Sequence, residues 1–203
     1  MSSFPLKTLF FAALCLAGRT IHAQDEHYSF NKGDWFVSAG AGFPNQNGLL
    51  LRPVRKELNF EYKGSGPFHF KAEYAILDNL GVGISYNRVA FEASWKVNNP
   101  DLAKAFDYRL TYASNSLIIR LNGHYPAAPG LDIYGGFGVG LKTGRPKLVS
   151  DDPAKKSWTF PFTFPLGAEA TAGARIRVAD PLYIYVEAGL AKSFVQGGLS
   201  LRI

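Results

Sequence analysis

The chain has 203 residues, 47% of them hydrophobic, 14% aromatic and 19% charged, with 21 glycines, one cysteine and a formal net charge of +6. Beyond the N-terminus no apolar run approaches the ~20 residues of a bilayer-crossing helix, and a charge surplus of this size does not by itself point to nucleic acid. Glycine and aromatics at these levels, beside few charges, favour strands and their turns.

Residues 1–23 read as a secretory signal peptide: Lys7 supplies the positive start, Leu9 to Gly18 the apolar stretch, and Ile21-His22-Ala23 the cleavage site. The mature chain, residues 24–203, then begins at Gln24 and forms one domain. The only cysteine, Cys15, leaves with the leader, which excludes disulfides.

From Trp35 onward the patterning has period two, as in strands with two unlike faces. Trp35, Val37, Ala39, Ala41 and Phe43 alternate with Phe36, Ser38, Gly40 and Gly42. Phe68, Phe70, Ala72 and Tyr74 oppose His69, Lys71 and Glu73, and after Asp78-Asn79 Leu80, Val82, Ile84 and Tyr86 oppose Gly81, Gly83, Ser85 and Asn87. Leu117, Ile119 and Leu121 face away from Ser116, Arg120 and Asn122, with Ile118 a misfit. Four more segments, near Leu131–Leu141, Leu166–Val178, Leu182–Leu190 and Val195–Ile203, repeat the rhythm. That makes eight strands, most near the ~10 residues a tilted strand needs to cross a bilayer. Short connections at Asp78–Asn79, Pro126–Gly130 and Asp180–Pro181 alternate with long ones at 44–66, 92–107 and 142–165. Only the last hairpin, near Lys192–Phe194, breaks this rule. The pattern predicts an all-β, eight-stranded antiparallel up-and-down transmembrane β-barrel. Within the long connections, Ala103–Phe106 is expected to form a helical turn. Trp158–Phe164 is expected to extend the sixth strand or lie at the interface.

The less apolar face identifies the lumen. It combines glycines with the mixed-sign ions Lys71, Glu73, Arg120, Asp132, Glu169, Arg175, Glu187 and Arg202. A narrow barrel needs small residues and a few paired charges inside. Glu73 or Glu187 with Arg120, Arg175 or Lys71 are the favoured pairs. Trp35, Phe43, Phe68, Tyr86 and Tyr108 are expected to form aromatic girdles. Net basic loop positions, Arg52, Arg55, Lys56, Lys142, Arg145, Lys147, Lys155 and Lys156, suit acidic phosphates or a surface partner.

With these features, the chain resembles the small eight-stranded outer-membrane β-barrel proteins of Gram-negative bacteria, the OmpA transmembrane-domain and OmpX-like group. Its terminal Gln196, Gly198, Leu201 and Ile203 are similar to that family's assembly signal, with Ile203 where the family usually ends in Phe. The resemblance implies a place in the cell outer membrane with both termini periplasmic. It also implies contact with outer-membrane lipids and with the assembly machinery during biogenesis, and the acidic phosphates that the basic loops suit are those of lipopolysaccharide.

No cofactor, metal or nucleic-acid partner is expected, and no catalysis. Some small barrels of the outer membrane are lipid-modifying enzymes with a His-x-Ser pair on a late strand, but the one such pair here, His27 and Ser29, precedes the first strand. The glycine runs Gly81–Gly83 and Gly135–Gly140 precede no helical pattern and belong to the barrel wall. The expected role is structural or interactive, through the surface loops. The alternatives are a small-solute pore through the lumen and a soluble periplasmic barrel that binds a lipophile.

Overall fold

In a computed structural model of the chain, residues 29–45, 51–99, 104–153, 158–159 and 165–203 are described. The leader 1–23, His27, Ala103, Lys155, Lys156 and the run 160–164 lie outside them. Eight strands build the barrel: β1 (Trp35–Asn45), β2 (Leu58–Leu77), β3 (Leu80–Asn99), β4 (Lys104–Ala128), β5 (Leu131–Gly144), β8 (Leu166–Ala179), β9 (Leu182–Leu190) and β10 (Ser193–Arg202). Two short ones, β6 (Lys147–Ser150) and β7 (Trp158–Thr159), and a 3-10 turn, η1 (Pro53–Lys56), complete the described elements. Neighbours run antiparallel in the order β3-β2-β1-β10-β9-β8-β5-β4, and the β3–β4 pairing closes the ring. Closure leaves no free edge, the condition for strands to cross a bilayer.

Over the part of the barrel beside the short turns the outer face is apolar and the inner face polar. Ile119 is 65% exposed and Phe137 62%, whereas Ser85 and Asp132 are fully buried. This orientation belongs to a barrel that spans a membrane. A lipophile-binding soluble barrel has the opposite one, so that alternative falls. Ile118 points inward because Gly138 and Gly167 leave it room: a Cβ on either would stand 2.6–2.7 Å from it. At Gly40 a Cβ would collide with the Tyr185 hydroxyl, so glycine there admits a large ring to the lumen.

The strands differ greatly in length. β9 has 9 residues and β10 has 10, while β3 has 20 and β4 has 25. About ten residues suffice for a bilayer, so β2, β3 and β4 rise well beyond it as a one-sided wall. β3 and β4 stay paired out to Asn99 and Lys104. Where β5 ends opposite Ser114, β6 takes its place beside Tyr108–Thr111, and β7 pairs with β6.

The structure departs from the sequence pattern in three places. The supposed loop 92–107 is strand from Glu92 to Asn99 and again from Lys104, which leaves no helical turn in the described part of Ala103–Phe106. The loop 44–66 already pairs from Leu58, and 142–165 contains the ends of β5, β6 and β7. Tyr108 is not a girdle residue. It is buried on the inner side of the wall, stacked on Trp95 at 5.8 Å, and its hydroxyl donates to Asp152 at 2.7 Å.

Both ends of the described chain lie with the short turns. The segment before β1 folds under the barrel: Gly33 N–H donates to the Ala75 carbonyl, and Lys32 N–H to Asp78 Oδ1. Its Phe30, fully buried, stacks on His124 at 3.6 Å and on Phe36 at 5.7 Å. That end of the lumen is stoppered by aromatic rings.

Candidate functional site

Alternation delivers the lumenal side chains, because inward positions on neighbouring strands fall side by side. Lowest lies Glu73 of β2. It accepts from Arg175 Nη2 at 2.7 Å and Asn122 Nδ2 at 2.5 Å, with His124 Nε2 at 3.0 Å. Asp132 holds the other imidazole nitrogen, Nδ1, at 2.9 Å. With both ring nitrogens against carboxylates, His124 serves as a double donor. The Arg175 guanidinium also stacks over Phe36 at 3.9 Å.

Above this layer Glu187 accepts from Lys71 at 2.7 Å, Tyr134 at 2.9 Å and Gln196 at 2.6 Å, with Arg120 Nη1 at 3.5 Å. Glu169 accepts from Arg120 Nη1 and Ser85 at 2.8 Å each, and from Asn87 at 3.2 Å. Seven of the eight ions expected in the lumen therefore belong to one hydrogen-bonded assembly. Arg202 does not. It sits at the rim, bonded to Asp34 at 3.2 Å. Pairing and shared hydrogen bonds offset the cost of taking these charges out of water, although Arg175 Nε and Nη1 and Asp132 Oδ1 find no partner among the described residues.

The assembly fills the barrel. The void bordered by Ser38, Lys71, Glu73, Arg120, Tyr134 and Arg175 holds about 20 Å³, room for one water. Higher up, Asn87 Oδ1 lies 2.6 Å from His69 Nδ1, and His69 Nε2 lies 3.2 Å from the Ser193 hydroxyl. The order Ser-His-Asn imitates a hydrolase triad, but all three side chains are buried. A Cβ on neighbouring Gly42 would already collide with Ser193 and come within 2.9 Å of His69, so no substrate fits between them.

The basic loop positions separate into two places. Arg52, Arg55 and Lys56 are exposed at or next to η1, whose flanking Leu51 and own Val54 pack into the wall's aromatic cluster of Phe91, Trp95 and Phe106. Arg145 and Lys147 are exposed near the β5–β6 junction. Lys142 is not in a loop: it lies on β5, cross-strand from Ser116, on the lumenal face. Of the terminal residues, Gln196 points inward to Glu187, while Leu201 faces outward and Ile203 bonds its backbone to Trp35.

Sequence reasoning passed over His124, Phe30 and Lys192. His124 was within reach, two residues past Asn122 on the same face. No periodicity marks the other two. Among the described residues no group of His, Asp and Glu has the makings of a metal site, and no helix is long and apolar enough to cross a membrane.

No family model and no curated protein matches the chain. Several solved structures resemble it at low identity. Ail, the attachment invasion locus protein of Yersinia pestis, crystallised with the heparin analogue sucrose octasulfate, is 15% identical, with 85% of this chain and 99% of that chain covered and a TM-score of 0.43. The outer membrane protein OprG from Pseudomonas aeruginosa is 8% identical, covering 87% and 99%, with a TM-score of 0.38. The outer membrane protein AlkL, solved by solid-state NMR in lipid bilayers, is 14% identical, covering 92% and 96%, with a TM-score of 0.40.

Proposed function

We propose that this chain is a non-catalytic outer-membrane barrel that works at the cell surface, using its lumen as a rigid core and its raised wall as the contact element. The filled lumen supports this reading most directly: a 20 Å³ void between paired ions is a packed interior, not a path for solutes. On this reading residues 1–23 are a cleaved export signal, and Gln196, Gly198, Leu201 and Ile203 guide assembly.

The contact residues are Arg52, Arg55 and Lys56, which the hydrophobic anchors Leu51 and Val54 hold outward at the wall, together with Arg145 and Lys147. Their partners are the acidic phosphates of lipopolysaccharide or an anionic surface partner. Two measurements test this. Reconstituted protein should show no steady single-channel conductance in planar bilayers. It should bind lipopolysaccharide-coated beads in a salt-sensitive manner that Arg52→Gln/Arg55→Gln/Lys56→Gln weakens. Conductance that disappears in Arg120→Ala would instead establish the pore, and unchanged binding by the triple variant would remove these residues from the role.

A further inference from the structure

The lumenal charges balance below the mouth and fail to balance at it. Glu73, Asp132, Glu169 and Glu187 face Lys71, Arg120, Arg175 and the doubly donating His124. Two lysines remain. Lys192 occupies the tight connection between β9 and β10, and its Nζ donates to Ser114 Oγ of β4 at 2.7 Å. β8 and β5 separate β9 from β4 around the ring, so this side chain reaches across the opening. Only 8% of Lys192 is exposed.

Lys142 joins it from β5, where its backbone pairs with Ser116. Among the described residues no carboxylate lies within ion-pairing distance of either lysine. The Ser114 hydroxyl donates its hydrogen bond to the Thr143 carbonyl at 2.7 Å, so it meets Lys192 as an acceptor. That one bond leaves two of the three ammonium protons of Lys192 available. Burial, and after it the charge of Lys142, bring Lys192 down from the ordinary lysine range to about 8. Two like charges held side by side at the mouth, that of Lys192 buried and that of Lys142 half-buried, form a receptor for negative charge.

We infer that the extracellular mouth of the lumen binds a phosphate or sulfate monoester, gripped by Lys192 and Lys142 above the hydroxyl of Ser116. A tetrahedral oxyanion has enough acceptor oxygens to meet both ammonium groups and a hydroxyl together, which a single carboxylate does less well. The lopsided rim gives access. β9 and β10 turn back at Lys192 itself, whereas β3 and β4 tower on the other side. Both a free anion and the headgroup of a lipid beside the low rim can enter there. The site is separate from the exposed arginines around η1.

The test uses the folded full chain. In detergent micelles, calorimetric titration with inorganic phosphate and with sulfate should give saturable binding. Lys142→Met/Lys192→Met should weaken it at least about tenfold, or ~1.4 kcal/mol, while Arg52→Gln/Arg55→Gln/Lys56→Gln leaves it unchanged. Heat-modifiable gel migration checks that the variants fold. Independently of any variant, phosphate should protect Lys192 of the wild type from amine acetylation mapped by mass spectrometry. Vesicles containing phosphatidic acid, set against phosphatidylcholine alone, give the second arm. Protection by free phosphate with no added protection from the vesicles assigns a soluble anion, and stronger protection by phosphatidic acid assigns a lipid phosphomonoester. Absence of protection in both arms, or equal affinity in the double lysine variant, overturns the proposal.

Discussion

The lower and upper halves of β3 and β4 are continuous in hydrogen bonding and opposite in polarity. Near the short turns, β3 turns Val82, Ile84 and Tyr86 outward and Gly83, Ser85 and Asn87 inward. Past Arg88 the faces exchange character: Glu92, Ser94 and Lys96 look out, while Val89, Phe91, Ala93 and Trp95 are buried. β4 does the same, with Leu117, Ile119 and Leu121 outward below, and Asp107, Arg109 and Thr111 outward above. The ladder does not break at the change. The solvent does: lipid outside demands apolar side chains, and water outside demands the reverse. The seam is marked by Asn115, whose side chain accepts from Tyr86 at 2.9 Å and Arg88 at 3.4 Å.

The two halves are also held differently. The lower one rests on buried, multiply bonded ions, and the upper one on an ordinary aromatic cluster under η1 with exposed pairs such as Lys96–Asp107 at 3.3 Å and Arg109–Glu92 at 3.8 Å. Exposed pairs contribute ~1 kcal/mol at most. The largest effect is therefore expected in the lower half. Glu187→Ala strands Lys71 and removes acceptors from Tyr134 and Gln196. It should cost ~3–5 kcal/mol, read as a lower urea midpoint for folding into lipid vesicles. A loss below ~1 kcal/mol would mean that the lumenal network is less a scaffold than its geometry indicates.

A paired substitution on one face of β4 tests the change of solvent itself. Ile119→Lys puts a charge on the lipid-facing wall and should cost ~2–4 kcal/mol. Thr111→Lys, on the same face of the same strand, should stay within ~0.5 kcal/mol. Equal costs at the two positions would contradict the assignment of the seam to the membrane boundary.

Much of this was legible beforehand, and the rest was hidden for physical reasons. Alternation assigns the outward face of Leu117, Ile119 and Leu121 and puts eight ions in the lumen without any register, of which Arg202 lies at the rim with Asp34. It could not say which carboxylate meets which cation, because those contacts join strands far apart in sequence, as in Arg175–Glu73, 102 positions apart. The upper wall reads as loop in the sequence because Glu92, Ser94 and Lys96 still alternate with Phe91, Ala93 and Trp95, but on exchanged faces. A reading that holds one face apolar along the whole strand stops where the solvent changes. Lys192 was out of reach altogether: a hairpin position has no periodicity, and its partner Ser114 is 78 residues away.

At the seam the expected effect is smaller and depends on pH. Lys192 lies in a hairpin outside the spanning strands, and burial together with the facing Lys142 lowers it to about 8 from 10.5. Below pH 8 the folded chain carries that disfavoured charge in full. Between pH 8 and 10.5 the unfolded chain binds more protons than the folded one, so stability attributable to this group rises with pH. In phosphate-free buffer Lys192→Met should raise the folding midpoint at pH 7, and its advantage should shrink as pH climbs through that window. An advantage that does not change with pH would show that the lysine's charge is not what the fold resists.

The smallest global effect belongs to the upper wall. Trp95 is buried there against Tyr108, and in a protein core such a truncation to alanine costs ~3–5 kcal/mol. Here the barrel beneath has its own closed ladder and its own ions, so the loss should stay local. Trp95→Ala should leave the global urea midpoint within ~0.5 kcal/mol of wild type. Amide exchange in the upper stretches of β3 and β4 should nevertheless quicken, and protease should gain access around η1, whose anchors Leu51 and Val54 pack on this cluster. If the midpoint instead falls by the full core value, wall and barrel unfold as one unit. The change of face at Arg88 would then mark a change of solvent only, with no boundary in cooperativity.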